Sequence, residues 1–224
     1  MQGDIIGDFN SIVTEEGFSA SLRASCDKAS YIPSLRENHA ALYKTVLYMQ
    51  RPLKILEAGT LYGYSAVLAA EVLKDIHAGG FRIDTVEIDP GNAEIARKNI
   101  ESAGFSSYVR VIEGDACEVF SCLEGPYDLI FLDCSKSSYN SIYDDAKRLL
   151  RNGGLLMADD VCYHGKLEEG ENVPHKHRTI VYNLREFLER VSKDGDFAAC
   201  IDKMDDGMLL AVKKYNCKVT PDIL

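Results

Sequence analysis

The chain has 224 residues, of which 46% are hydrophobic and 27% are charged, and its formal net charge is −10. This length and balance suit one α/β domain with a substantial core, and no apolar run approaches the roughly 20 residues that span a bilayer. The acidic start MQGDIIGDFN lacks a signal-peptide pattern, so we expect a cytoplasmic protein without a membrane partner. The negative net charge argues against a large nucleic-acid-binding surface, but it is compatible with a local basic patch.

The first 50 residues favour helix. Pro33 and Ser34 make a plausible helix start, and the following stretch predicts an apolar helical face. That face consists of Leu35, Leu42, Val46 and Met49.

From residue 53, short apolar strands alternate with helices, which indicates a parallel sheet with helices on both faces. The predicted strands are 53–59, 82–88, 108–114, 127–133 and 154–160. The predicted helices are 65–76, 91–104, 115–123 and 139–154, and the second and fourth of them end in glycine, the expected C-terminal stop.

Residues 174–214 complete the predicted sheet. Pro174 opens a long helix, and residues 197–214 form two strands around the turn Asp205-Asp206-Gly207. The predicted fold is therefore a doubly wound, mostly parallel, seven-stranded α/β sheet with an antiparallel C-terminal hairpin and N-terminal helices.

The seven cysteines show no pattern that predicts disulfides or a zinc site, since they form no C-x-x-C pair. Because cytosolic thiols stay reduced, we expect free cysteines. They stand at positions 26, 117, 122, 134, 162, 200 and 217.

Ligands of an open parallel sheet bind outside the carboxyl ends of its strands, so the residues at those ends are informative. The first strand ends in EAGTLYGYS, with Glu57, Gly59, Gly63 and Ser65 at a strand-to-helix turn. The stretch is neither a G-x-G-x-x-G nicotinamide fingerprint nor a Gly-Lys-Ser/Thr phosphate loop. It predicts either a tight turn alone or a site where Glu57 attracts the amino group of a cationic ligand.

The next two strand ends offer acids of a different kind. Glu87, in VEIDP, stands where an acid accepts hydrogen bonds from ribose hydroxyls, with a solvated acid as the alternative. Asp89 is predicted to cap the helix that Pro90 begins. In EGDAC, Asp115 and Ala116 are positioned to border an adenine, although Asp115 alone is equally consistent with a simple helix cap.

Three acids close the fourth and fifth strands. Asp133 ends YDLIFLD, and Asp159 and Asp160 end GLLMADD on the neighbouring strand. Oxygen donors without histidine or cysteine at suitable spacing indicate Mg²⁺ or another hard divalent cation, with three separate helix caps as the alternative. Lys136 lies beside this group and is predicted either to act as a base with a depressed pKa or to face solvent.

These motifs together resemble the metal-dependent S-adenosylmethionine O-methyltransferases, which include catechol and caffeoyl-CoA O-methyltransferases. The segments that carry the resemblance occur in the family's order between about residues 31 and 214. They are ILEAGTLYGYSA, TVEIDPGNAEIARKNI, GDA, YDLIFLDCSKSSY and LLRNGGLLMADDVCYHGKL. One position departs from the family pattern, because the family usually has Asp-Asn where this chain has Asp159-Asp160.

The resemblance implies a Rossmann-like methyltransferase fold and assigns roles to residues of this chain. S-adenosylmethionine would contact Glu57, Gly59, Tyr62, Gly63, Ser65, Glu87, Asp115, Ala116 and Asp133. Asp133, Asp159 and Asp160 would hold Mg²⁺ or a similar ion, and Lys136 with Asp133 would be catalytic. Residues 1–224 would form a single domain, with a helical cap (1–50), a cofactor-binding core (53–160) and a substrate-side helix with the terminal hairpin (161–224).

The methyl acceptor stays open between two classes. Residues 172–191 resemble the bacterial subgroup that methylates 5-hydroxyuridine in tRNA, where Lys176 and Arg178 would contact phosphates. A small catechol-like phenol is the competing acceptor, and the acidic net charge favours it. A non-catalytic S-adenosylmethionine-binding protein with an altered metal site is a further alternative. Relatives commonly dimerise through their N-terminal helices, so a homodimer is expected.

Overall fold

The computed structural model describes residues 17–28, 35–168 and 173–215. The helices and strands from residue 17 to residue 132 are α1 (Gly17–Lys28), α2 (Glu37–Gln50), β1 (Lys54–Ala58), α3 (Tyr64–His77), β2 (Arg82–Glu87), α4 (Pro90–Ser102), β3 (Val109–Glu113), α5 (Ala116–Cys122) and β4 (Tyr127–Leu132). They are followed by α6 (Tyr139–Leu149), β5 (Leu150–Ala158), α7 (Arg178–Lys193), β6 (Phe197–Asp202) and β7 (Met208–Lys213). Short 3₁₀ turns cover Lys136–Ser138, Tyr163–Glu168 and His175–His177.

The strands form one seven-stranded sheet in the order β3-β2-β1-β4-β5-β7-β6. Strands β1 to β5 pair in parallel, and β7 runs antiparallel to both β5 and β6. The predicted fold class is confirmed, including the antiparallel C-terminal hairpin. This order puts the carboxyl ends of β1, β2 and β4 side by side, next to that of β5.

The apolar strands are buried on both faces, which explains why they are nearly continuous runs of hydrophobic residues. Successive residues point to opposite sides of the sheet. Thus Ile55 packs with α1 to α4 on one side, and Leu56 packs with α5 to α7 on the other. The same alternation holds along β4 and β5, so the sheet is held between two hydrophobic layers.

Strand β5 begins at Leu150, four residues before the predicted start, and α6 ends at Leu149. The prediction took Gly153 and Gly154 as the stop of a longer helix, and this is wrong. Leu150 is buried and already pairs with Tyr127 of β4, while the Arg151 guanidinium donates to Asp128 at 2.5 Å. Because of these tertiary contacts, the chain joins the sheet at Leu150, before it reaches Gly153.

Most of the predicted apolar face around helix α2 is confirmed, since Leu35 and Val46 are buried and Leu42 packs against the core, but its end at Met49 is wrong. Met49 is 77% exposed, whereas His39, Tyr43 and Leu47 are buried. The Tyr43 ring stacks on Phe131 of β4 with 4.9 Å between centroids, so this interaction fixes the rotation of the helix. The predicted start at Pro33-Ser34 lies outside the described residues.

The cysteines at positions 117, 122, 134, 162 and 200 form no disulfide within the described ranges, as predicted. Cys217 and the side chain of Cys26 lie outside the described part of the chain. Among the helices in the described ranges, none combines the length and the apolar character needed to cross a membrane.

Candidate active site

A cavity of about 470 Å³ opens at the carboxyl ends of the parallel strands. Its walls come from the segments that follow β1 to β5, together with Arg36 before α2. The lining residues used below are Gly59, Leu61, Glu87, Ile88, Asp115, Ala116, Asp133, Lys136, Asp159 and Asp160. The structure therefore brings together most of the strand-end residues that the sequence singled out.

Close packing of the backbone requires glycine at position 59. Its φ is +102°, and a Cβ built there would overlap the carbonyl oxygen of Asp133. The turn after β1 thus presses against the turn after β4, and only glycine permits both the backbone conformation and the approach. Gly63 (φ +86°) then leads directly into α3.

Tyr62, Gly63 and Ser65 are not among the residues that line the cavity. The carbonyl oxygen of Tyr62 accepts a hydrogen bond from Asn99 Nδ2 at 2.9 Å, which ties the turn to α4. Ser65 is buried in the first turn of α3. Their predicted contacts with S-adenosylmethionine stay predictions.

Glu57 lies behind the cavity wall and is 1% exposed. The hydroxyls of Ser65 and Thr85 each donate to its carboxylate at 2.5 Å. Burial raises the pKa of Glu57 to about 7, the two hydroxyls oppose this shift, and the nearby Asp133 and Glu87 add to it. The predicted contact with a ligand amino group stays a prediction, because the partners observed for this carboxylate are hydroxyls of the protein.

Glu87 is held rigidly at the edge of the cavity. Its carboxylate accepts hydrogen bonds from the backbone N–H groups of Leu61 at 2.7 Å and Asp89 at 2.9 Å. A carboxylate fixed in this way keeps further lone pairs for a hydroxyl ligand. Ile88, which the sequence interpretation overlooked, lines the same wall and is 68% exposed.

Both predicted helix caps are confirmed. Asp89 accepts from Asn92 N–H at 2.8 Å at the start of α4, and Asp115 accepts from Cys117 N–H at 2.7 Å at the start of α5. Asp115 and Ala116 also line the cavity, so the capping role and the predicted place beside the adenine are compatible.

Lys136 bridges two of the three aspartates. Its Nζ lies 3.0 Å from Asp133 Oδ1 and 3.4 Å from Asp160 Oδ2. Burial lowers the pKa of Lys136, but Tyr139 and the three aspartates outweigh it and raise that pKa well above its ordinary value. The sequence predicts a depressed pKa for Lys136 beside a bound metal and a cationic cofactor, and this stays a prediction. For Asp133, burial and the other two carboxylates raise the pKa, and Lys136 opposes them.

His39 of α2 joins the acidic cluster and was not predicted. Its ring is fully buried, and Nδ1 lies 2.5 Å from Asp159 Oδ1. Ligand atoms of His39, Asp159 and Asp160 all lie within 4.8 Å of one another. The spacing of His39 and Tyr43, four residues apart on one helical face, was the available sign that His39 points inward.

The donor set fits a divalent cation. Asp160 Oδ1 is buried and accepts no hydrogen bond from any residue in the described ranges. Buried carboxylate oxygens normally have partners, so an oxygen without one, beside two other buried donors, suits a positive ligand. Asp160 also has φ +53°, a conformation that Asn and Asp tolerate better than other non-glycine residues.

Lys176 and Arg178 are exposed, in the 3₁₀ turn His175–His177 and at the start of α7. The Arg178 guanidinium donates to the carbonyl oxygen of Val173 at 3.1 Å. Neither residue is among those that line the cavity. Their predicted phosphate contacts are not tested by this geometry.

Comparisons of the sequence and of the structure with known proteins both find O-methyltransferases. The profile of a family described as O-methyltransferase matches residues 19–214. A catechol O-methyltransferase of Niastella koreensis is 34% identical over 191 residues, covering 81% of this chain and 82% of that protein. A catechol O-methyltransferase of Bos taurus is 29% identical over 196 residues, covering 84% and 68%. The crystal structure of an O-methyltransferase from Bacillus cereus in complex with SAH superimposes with a TM-score of 0.80 at 25% identity, covering 93% of this chain and 97% of that one.

Proposed function

Because this chain belongs to the S-adenosylmethionine-dependent O-methyltransferase family, we propose that it methylates a hydroxyl of a catechol-like small molecule with the help of a divalent cation. One observation carries the finer part of this proposal. Asp133, Asp159 and Asp160 line the same cavity as Gly59, Glu87 and Asp115, so a cation and a nucleoside would be held side by side in one cavity.

The cofactor half of the cavity is assigned to the ends of β1, β2 and β3. S-adenosylmethionine supplies the methyl group on a positively charged sulfur. We assign Glu87 to the ribose hydroxyls, because its carboxylate is fixed by two backbone donors and faces the cavity. Asp115 and Ala116 border the adenine, with Ile88 as an exposed apolar neighbour.

The acceptor half is assigned to the ends of β4 and β5. Methyl transfer is an in-line displacement, so the protein has to align the two substrates and stabilise the acceptor oxygen as an anion. A divalent cation held by Asp133, Asp159 and Asp160 would supply Lewis acidity that lowers the pKa of the hydroxyl. The aspartates position this charge next to the cofactor half.

Lys136 is assigned to take the hydroxyl proton, since its ammonium group lies against Asp133 and Asp160. The ammonium group must first release its own proton to solvent, and the carboxylates oppose this release because they contribute to raising its pKa. The release is favoured once the carboxylates are neutralised by a cation, and the neutral amine then takes the hydroxyl proton. This requirement links the base to occupation of the cation site. It also explains how a lysine with a raised pKa is compatible with base catalysis.

A catechol-like acceptor has stronger support than tRNA. Two relatives named catechol O-methyltransferase match most of the chain, and the formal net charge of −10 disfavours binding to a polyanion. The observation in favour of tRNA is the pair of exposed cations, Lys176 and Arg178. Both acceptors present a hydroxyl to the same site, so only direct comparison separates them.

The test is a methyl-transfer assay on chelator-treated protein with S-adenosylmethionine labelled in its methyl group. A panel of catechols and matched monophenols is compared with bulk tRNA that carries 5-hydroxyuridine, each with and without added divalent cation. The proposal expects label in catechols only when cation is present, and little in monophenols. Label in tRNA alone, or equal labelling of catechols and monophenols without cation, would contradict it.

A further inference from the structure

His39 is oriented so that one ring nitrogen is left for a ligand. Its Nε2 lies 2.9 Å from the carbonyl oxygen of Met204, in the turn between β6 and β7. A carbonyl oxygen only accepts hydrogen bonds, so Nε2 carries the proton and donates it. In the neutral ring Nδ1 then has a lone pair, and this lone pair is on the side of Asp159. A backbone carbonyl that orients an imidazole in this way is a common feature of metal-binding histidines.

The same turn is anchored to α2 by a second hydrogen bond. Asn38 Nδ2 donates to Asp205 Oδ1 at 3.1 Å, one residue before His39 and one residue after Met204. The β6–β7 turn thus holds the start of α2 against the acidic cluster. His39 is fully buried, so its ring has little freedom to turn away.

Two buried polar atoms of this cluster lack a hydrogen-bond partner among the described residues. Nδ1 has no partner of acceptable hydrogen-bond geometry within the described part of the chain, although Asp159 Oδ1 is 2.5 Å away. Asp160 Oδ1 is likewise buried without a partner there. A lone pair of nitrogen and two carboxylates repel one another in a buried site unless a proton or a cation lies among them. A proton on Nδ1 would serve this purpose, since burial lowers the pKa of His39 but Asp159 outweighs this effect and raises it, and a divalent cation would take the place of that proton. Asp159 and Asp160 also line the cavity, which provides an entry path.

We propose that the metal centre of this enzyme includes His39 Nδ1 as a nitrogen ligand beside Asp159 and Asp160, so that it favours first-row transition ions over Mg²⁺. Imidazole suits later first-row ions such as Zn²⁺ and Co²⁺ better than Mg²⁺, which prefers oxygen donors. This inference rests on the proposed cation dependence, and it adds the nitrogen donor that sets the preference among divalent cations.

The experiment compares wild type with His39→Gln and a matched control, His77→Gln. The control removes a histidine at the far end of α3, about 20 Å along the helix from the turn that borders the site. Chelator-treated proteins are titrated with Co²⁺, Zn²⁺ and Mg²⁺ by calorimetry, and the visible absorption of the Co²⁺ complex is recorded. Wild type and His77→Gln should bind Co²⁺ and Zn²⁺ more tightly than Mg²⁺. In His39→Gln this preference should fall by at least roughly 10-fold, with a changed Co²⁺ spectrum.

A second measurement needs no variant. Electron spin echo spectra of Mn²⁺-loaded wild type, with ordinary and ¹⁵N-labelled histidine, should show coupling to an imidazole nitrogen that changes with the label. Cation binding without this coupling, or with unchanged affinities in His39→Gln, would overturn the role of His39 and leave cation-dependent transfer intact. If wild type binds no divalent cation and transfer continues in EDTA, the proposed cation dependence fails as well.

Discussion

Replacing Glu57 by Gln should change the pH dependence of stability in a defined direction. Glu57 is fully buried between Ser65 and Thr85, and its pKa rises from 4.5 to about 7. The folded protein therefore holds the proton more tightly than the unfolded chain. The stabilisation from this proton is fully present below about pH 4.5 and is lost as the pH rises through about 7. Glutamine keeps the shape, carries no charge and can exchange hydrogen bonds with both hydroxyls.

The size of the expected change in stability follows from the pKa shift of Glu57. The difference between 4.5 and about 7 corresponds to about 3 kcal/mol in the free energy of unfolding. Over a working range of about pH 5 to about pH 9, the advantage of Glu57→Gln over wild type should grow by about 2.5 kcal/mol.

The assay is urea unfolding followed by far-UV circular dichroism, since the chain has no tryptophan. Glu118→Gln, the same substitution at an exposed residue of α5, controls for the effect of the chemical change itself. If the gap between Glu57→Gln and wild type stayed constant with pH to within about 0.5 kcal/mol, the reasoning about the buried carboxyl would be refuted.

Three further changes test other parts of the site. Gly59→Ala should destabilise the protein by about 3 kcal/mol or more and abolish binding of S-adenosylmethionine by calorimetry, because the new Cβ would overlap the Asp133 carbonyl oxygen. Gly80→Ala, also at positive φ but with open space around it, should cost only about 1 kcal/mol in thermal unfolding. Asp160→Asn should retain or raise kcat for a catechol, since it removes one negative charge from the cluster; loss of all transfer would contradict this. Replacing both Lys176 and Arg178 by Ala should weaken any transfer to tRNA in a salt-dependent way and spare catechols, whereas equal loss for both acceptors would argue against a tRNA-specific role.

The fold was predictable because local pattern and tertiary packing agree along most of the chain. Strands buried on both faces appear as continuous apolar runs, and the residues at their carboxyl ends necessarily meet at one edge of the sheet. The start of β5 was missed because Gly153 and Gly154 resemble a helix stop. The contacts of Leu150 with Tyr127 and of Arg151 with Asp128, which override that pattern, come from a distant strand.

Most of the strand-end residues predicted for the site border one cavity, but the orientation of their side chains was less predictable. Glu57 stands at a strand end, yet its partners Ser65 and Thr85 hold it behind the cavity wall. The raised pKa of Lys136 depends on how closely the aspartates surround it, which spacing in the sequence does not reveal. His39 is 120 residues before Asp159, and no local motif connects a helical histidine to a strand-end acid.

The most direct test of the central claim is methyl transfer from S-adenosylmethionine to a catechol by chelator-treated protein, before and after a divalent cation is restored. Wild type should regain transfer with added cation, and Asp133→Ala should stay inactive while remaining folded by circular dichroism. Transfer that persists without cation, or that survives in Asp133→Ala, would contradict the account.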